Sequence, residues 1–238
     1  DLQVLPDIVL NHRMGADESE QVTVHCDNPD DRSQTDTPEI PAVVFTRFTF
    51  PGRAGKYSDF IWTYECFSGV DWNDATHRSG LYRIGGKTWQ QDVDKERGNY
   101  DYLMGADVDT DYPAVREELS RWGHWYIDTT EPDGFRLDAV KHIRFDFCTH
   151  WRGRLRRLSG RPLFAVGEYW NGEVGMLTHY LDACGRVMQL FDVPLHYNFY
   201  RASTSGGNFD MRRIFEGTLT AARPARAVTF VDNHDTQC

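Results

Sequence analysis

The sequence predicts an α/β fold of parallel strands joined by helical crossovers, interrupted by one long β-rich segment. Three observations lead there. Short apolar runs alternate with helix-period stretches through the second half of the 238 residues. Asp138, Glu168, Asp192 and the acids of 232–235 fall where those runs end, the position from which α/β enzymes assemble sites out of several loops. Residues 13–110 break the rhythm over a span too long for an ordinary connection. An open doubly wound sheet and a closed barrel satisfy this pattern equally.

In chain order, Asp7-Ile-Val-Leu is a short buried strand ending in Asn11 and His12. The segment 13–110 is rich in Asp, Gly, Thr and aromatic residues, has β-like runs such as 43–50, and reads as a small inserted domain. A helix follows over 111–127. Asp111 suits its N-cap, Pro113 its first turn, Glu117 and Glu118 the positive dipole end, and Val115, Leu119, Trp122 and Tyr126 its buried stripe. A strand over 134–138 precedes a helix over 142–159 with Phe147, Trp151, Leu155 and Leu158 facing inward. Arg152, Arg154, Arg156 and Arg157 crowd the end where the dipole favours cations, and Gly160 stops the helix. A strand over 163–167, a helix over 173–183, a strand over 187–191, a helical stretch near 210–222 and a strand over 227–231 complete the pattern.

A formal net charge of -10 and a pI near 5.3 would repel phosphate backbones and anionic lipid, so neither nucleic acid nor a membrane is expected as partner. A neutral or cationic ligand fits better. No apolar run is long enough to span a bilayer. The five cysteines, Cys26, Cys66, Cys148, Cys184 and Cys238, are odd in number and lack a C-x-x-C pair; they read as free thiols and lean the compartment toward the reducing cytoplasm, secretion remaining compatible.

Arg136 and Asp138 are two apart on one strand, so their side chains share a face and touch. The guanidinium favours the anionic form that a carboxylate nucleophile needs, although the pair alone could equally be a structural ion pair. Glu168 ends an apolar strand beside Tyr169 and Trp170, surroundings that disfavour its charge and suit a general acid; alone, it could be a solvated strand-end residue. One anionic carboxylate, one carboxyl held neutral and a third acid beside a histidine at one sheet end are what retaining glycoside hydrolysis requires, with the reacting pair ~5–5.5 Å apart. No G-x-S-x-G or H-E-x-x-H occurs to support a serine hydrolase or a zincin.

DIVLNH (7–12), GFRLDAVKH (134–142), GEYW (167–170) and FVDNHD (230–235), in that order, resemble the four signature regions of the α-amylase family of glycoside hydrolases. FPGRAGKYSDF, RGNYDYLM and FDVPLHYNF resemble its bacterial liquefying members and their intracellular relatives. The resemblance implies a (β/α)8 TIM barrel, represented here by about strands 3 to 7, with residues 1–12 and 111–238 in the barrel and 13–110 a β-rich domain inserted after the third strand. It implies endo-acting hydrolysis of α-1,4-glucans, Asp138 as nucleophile, Glu168 as general acid/base and Asp235 as the third carboxylate. Arg136 would orient Asp138, His12 and His234 would hydrogen-bond the sugar at the cleavage point, and Lys141 and His142 would contact the leaving-group side; Trp170, beside Glu168, is read as substrate-binding, a face for stacking sugar, although an aromatic next to a strand more often belongs to the core. An α-glucosidase or transglycosylase of the same family, and a non-catalytic amylase-like binding protein, are the rival readings; the last expects a lost nucleophile or acid, and Asp138 and Glu168 are both present. With strands 1, 2 and 8 unaccounted for, the chain is expected to come from a longer protein, a monomer when complete, whose activity the isolated piece need not retain.

Residues 97–113 carry Asp101, Asp107, Asp109 and Asp111, hard oxygen donors of the kind Ca2+ prefers. An EF-hand is excluded because Tyr112 stands where its glycine should be. The resemblance implies one calcium ion held by Asn11, Asp101, Asp107 and the backbone carbonyl of His142. Ser68 and Gln90 stand where further acidic ligands would lie, so additional cations are not expected, and Asp109 and Asp111 are left as caps and surface charges.

Overall fold

The computed structural model describes residues 2–34 and 37–236, so the Cys238 thiol lies outside the described residues. Strand β1 (Asp7–Ile8) enters a parallel sheet, and the chain then leaves it. Strands β2 (His12–Arg13), β3 (Glu18–Asp27), β4 (Ile40–Arg47), β5 (Phe67–Asn73), β6 (Arg78–Ile84) and β7 (Ala106–Val108) form a separate antiparallel sheet in the order β2-β7-β5-β6-β3-β4. Helix α1 (Pro113–Thr130) returns the chain to the first sheet. There follow β8 (Gly134–Leu137), α2 (Phe145–Ser159), β9 (Phe164–Gly167), α3 (Val174–Ala183), β10 (Gln189–Phe191), α4 (Val193–Thr204), the short α5 (Leu219–Ala222) and β11 (Ala227–Val228).

The parallel sheet runs β1-β8-β9-β10-β11, with sheet order following chain order and no reversal. A doubly wound sheet must reverse at a switch point, so this topology selects the wall of a barrel. Alternation along β8 puts Phe135 and Leu137 into the core beneath Trp151 and Leu155 of α2, while Arg136 faces the other way. Gly134 permits the close strand approach: a Cβ there would lie 2.4 Å from the Phe164 carbonyl oxygen.

Several local expectations fail for identifiable reasons. Asp111 does not cap α1: the N-cap is Tyr112, without a side-chain cap bond, and Asp111 pairs instead with Arg144 at 2.8 Å and Arg116 at 3.5 Å. Glu118 is buried, accepting from Ser58 at 2.8 Å and pairing with Arg121. Leu158 is 50% exposed because the helix has outrun the sheet, whereas Arg152 is buried and donates to the carbonyls of Leu163 and Val187. Gly160 does end α2, at φ 64°. Helix α4, absent from the expected pattern, begins at Asp192. That acid faces no shared mouth: fully buried, it accepts backbone N–H bonds from Leu195 (3.1 Å), Leu219 (3.0 Å) and Thr220 (2.7 Å), fastening the starts of α4 and α5 together. Strand β11 stops at Val228 and, among the described residues, is bonded to β10 alone; Val231 is 72% exposed. The region expected as helix near 210–222 contains only a 3-10 turn at Met211–Arg213 and the single turn of α5.

No helix among the described residues is long and apolar enough to cross a membrane. The four described cysteines are free thiols, three of them buried.

Candidate active site

Register brings the acids together. Asp7 lies opposite Arg136, and Leu137 opposite Gly167, so Asp138 and Glu168 emerge side by side from neighbouring strands. The Arg136 guanidinium bridges three carboxylates: Asp7 at 2.7 Å and Asp138 at 2.6 Å through Nη1, and Glu168 at 2.7 Å through Nη2. Burial works against the charge on Arg136, but hydrogen bonding to Asp7 and the charge of Glu168 outweigh it and hold the guanidinium more firmly protonated than usual. Glu168 also accepts from the Ala139 amide at 3.3 Å. Its carboxyl titrates above the usual carboxylate range: burial raises it, Arg136 and the amide pull it back, and Asp138 and Asp235 push it up again. The aromatic cause expected from sequence is only partly present. Tyr169 turns into the core and donates to Asp94, so only Trp170 stays near the mouth.

These groups open into a cleft of about 630 Å3 lined by His12, Asp138, Lys141, His142, Glu168, Trp170, His234 and Asp235, together with Asp7, Tyr100, Met104 and Tyr197. The strand-end motifs therefore do converge on one space. The His12 imidazole is kept below its ordinary pKa by burial, with Asp138 and Asp71 opposing. His142 is pushed down to about 3 by burial and accepts no charge at neutral pH; its Nδ1 lies 2.7 Å from the Tyr100 carbonyl oxygen. Lys141 is buried, and its ammonium donates to Glu96 at 2.8 Å and to the Trp170 carbonyl at 3.1 Å. His234 and Asp235 are 67% and 61% exposed on the rim. Sequence reasoning missed Asp7, Tyr100 and Tyr197. Asp7 was within reach, since neighbouring parallel strands put an acid opposite an arginine; the other two depend on how α4 and the loop before β7 fold back.

The candidate cation position lies where β2 pairs with β7. His12 opposes Asp107, and the Val108 amide donates to the Asn11 carbonyl at 2.8 Å, bringing Asn11 beside that acid. Asp101 and Asp107 are buried next to each other, and Asp101 Oδ2 accepts from the Gln90 amide at 2.8 Å. Burial lifts Asp101 to about 7 and lifts Asp107 well above the usual carboxylate range, and Asp107 Oδ2 has no hydrogen-bond partner. Two buried carboxyls and an orphaned oxygen beside an amide suit a hard divalent ion. Among the described residues no group of three or more His, Cys, Asp or Glu is gathered as a metal cluster. Around this position the surroundings are already neutralised: Gln90 bonds Thr110 at 2.8 Å, and Asp109, 13% exposed and so not a surface charge, pairs with Lys87 at 2.7 Å.

No family model matches the chain. The α-amylase of Bacillus licheniformis is 46% identical over 237 residues, covering 100% of this chain and 46% of that protein. The α-amylase of Geobacillus stearothermophilus is 49% identical over 238 residues, 99% of this chain and 43% of its own length. The cytoplasmic α-amylase of Escherichia coli (strain K12) is 47% identical over 241 residues, 100% of this chain and 49% of its own length. The chain thus spans about half the length of the curated relatives it matches. A crystal structure of an Anoxybacillus α-amylase superposes with a TM-score of 0.56 at 18% identity, covering 99% of this chain and 40% of that one, a likeness of fold. The parallel sheet is accordingly part of a (β/α)8 barrel and the antiparallel sheet its accompanying β domain.

Proposed function

The chain belongs to the α-amylase family of glycoside hydrolases, and from that premise we propose that the whole protein cleaves internal α-1,4-glucosidic bonds of starch-like glucans with net retention. The observation that carries the reading is the placement of Asp138 and Glu168 on adjacent strands, both held by one guanidinium at the floor of one cleft. Strands spaced ~4.8 Å apart favour the short carboxyl separation of a retaining enzyme over the ~6.5–9.5 Å of an inverting one.

In this reading Glu168, whose carboxyl burial raises above the usual carboxylate range, gives its proton to the glycosidic oxygen as that bond breaks, and Asp138 attacks the anomeric carbon to form a covalent glycosyl intermediate. Glu168 then takes a proton from a water whose oxygen attacks the anomeric carbon, breaking the bond to Asp138 and releasing the sugar with its configuration retained. Asp235, His12 and His234 hold the hydroxyls of the sugar being cut, Arg136 aims Asp138, and Lys141, His142 and Trp170 line the leaving-group side. Residues 13–110 act as an inserted domain between the barrel segments 1–12 and 111–238. Asn11, Asp101, Asp107 and the His142 carbonyl would hold one Ca2+, which supplies positive charge that ties the two together. The free thiols lean the protein toward a reducing compartment, and it works as a monomer.

Starch hydrolysis by the full-length protein beside its Asp138→Asn variant tests this. Removal of a nucleophile is expected to cost ~10^4-fold or more in rate; equal rates would remove the mechanism.

A further inference from the structure

Helix α4 presents two consecutive rings, His196 and Tyr197, to the aromatic rim of the cleft. His196 stacks on Phe230 at 4.9 Å with planes 6° apart, and its Nδ1 meets the Val231 carbonyl oxygen at 2.7 Å. Tyr197 packs on Gly172, where an added Cβ would meet its ring at 3.2 Å, and its hydroxyl accepts from the Trp170 indole Nε1 at 3.0 Å. The Trp170 and Tyr197 rings stand edge to face, 6.3 Å apart at 80°, and both line the cleft. Their base is rigid, because Asp192 pins the start of α4 through the amide bonds described above.

We propose that Tyr197 is a positioning residue whose hydroxyl fixes the plane of the Trp170 indole, making that ring a platform for the glucan on the leaving-group side of the scissile bond. This rests on the hydrolase reading. The side follows from chemistry and connectivity. Glu168 must face the leaving oxygen to protonate it, Trp170 is two residues beyond Glu168, and the Trp170 carbonyl is held by Lys141. An indole whose N–H is bonded at its edge and whose ring is also packed against His196 (5.7 Å) and Phe230 (6.0 Å) keeps a single rotamer, and a sugar ring stacked on the part that lines the cleft meets a surface whose ordering cost is already met.

The test compares wild type, Tyr197→Phe, Trp170→Ala and the double variant of the full-length protein on maltoheptaose and on maltotriosyl fluoride, whose single-atom leaving group does not reach the platform. Tyr197→Phe keeps the ring and loses the bond. It is expected to lower kcat/KM on maltoheptaose about fivefold through KM, to change the fluoride within about twofold, and to do nothing further in the Trp170→Ala background. Equal losses on both substrates, no loss on maltoheptaose, or additive losses with Trp170→Ala would overturn the proposal. A wild type that binds maltoheptaose without cutting either substrate would sink the hydrolase reading instead. Calorimetric titration with maltoheptaose would then decide the role of Tyr197, the same fivefold weakening supporting it and unchanged affinity refuting it.

Discussion

Replacing Arg136 by Met removes the single cation that Asp7, Asp138 and Glu168 share. The guanidinium and the Glu168 carboxyl are 2.7 Å apart with side chains 12% and 10% exposed, so solvent screens them little. With charge centres ~4 Å apart and an effective dielectric of ~20, their attraction is ~4 kcal/mol. Water entering the vacated space recovers roughly half, leaving ~2 kcal/mol, or ~1.5 pH units at 1.36 kcal/mol per unit. The sign is set by what Arg136 does now. Burial raises the Glu168 pKa and Arg136 is the largest influence lowering it, so its loss raises that pKa further. A general acid works while protonated, so the alkaline limb of kcat/KM against pH should move to higher pH by ~1.5 units. The rate at the optimum should also fall ~100-fold, because Asp138 is left as one member of a broken buried pair. Initial rates on maltoheptaose between about pH 4 and 10, with full-length protein, measure both. Arg136→Lys is the control: it keeps the charge but not the fork, so its limb should stay near that of wild type while its rate drops. An alkaline limb that stays put or moves down in Arg136→Met would refute the electrostatic account of Glu168.

Three further outcomes are expected. Saturating Ca2+ at ~100 times its Kd should raise the stability of the full-length protein by ~2.7 kcal/mol, and Asp107→Asn should abolish most of that gain in melting scans with and without chelator. Asp192→Ala should cost ~2–4 kcal/mol in urea unfolding, because three backbone amides, two of them buried, lose their carboxylate acceptor; a loss below ~1 kcal/mol would contradict its role in fastening α4 to α5. Gly134→Ala should cost ~1–3 kcal/mol by forcing β8 and β9 apart, with the parallel sheet perturbed in circular dichroism before the antiparallel one.

The strand-end pattern was legible because it is local. A buried strand must be apolar, and the first residue free to be polar is the one at its exit, so Asp138, Glu168 and the 230–235 tip stand out in the linear text. Asp192 stands out by the same rule and misleads, because a strand exit that is also a helix start can spend its carboxylate on backbone amides. The expected strand over 227–231 exceeded the observed Ala227–Val228, since strand length depends on partners and, among the described residues, β11 bonds to β10 alone. Helix α4 was missed although Asp192 and Pro194 mark its start. Its apolar residues are interleaved with His196, Tyr197 and Asn198, whose burial is meaningful only once the cleft and α5 are in place.

What the amino-acid order determined unaided was the alternation of elements, the inserted β-rich span, the four motifs and hence the family, since each is carried by residue type and spacing over a few positions. Tertiary structure alone decided that the sheet runs without reversal, that one arginine serves three carboxylates, and that Tyr197 meets Trp170. Register and sheet order are set by the burial of whole faces against one another, and contacts between residues far apart in sequence exist only after that burial has chosen which strands are neighbours.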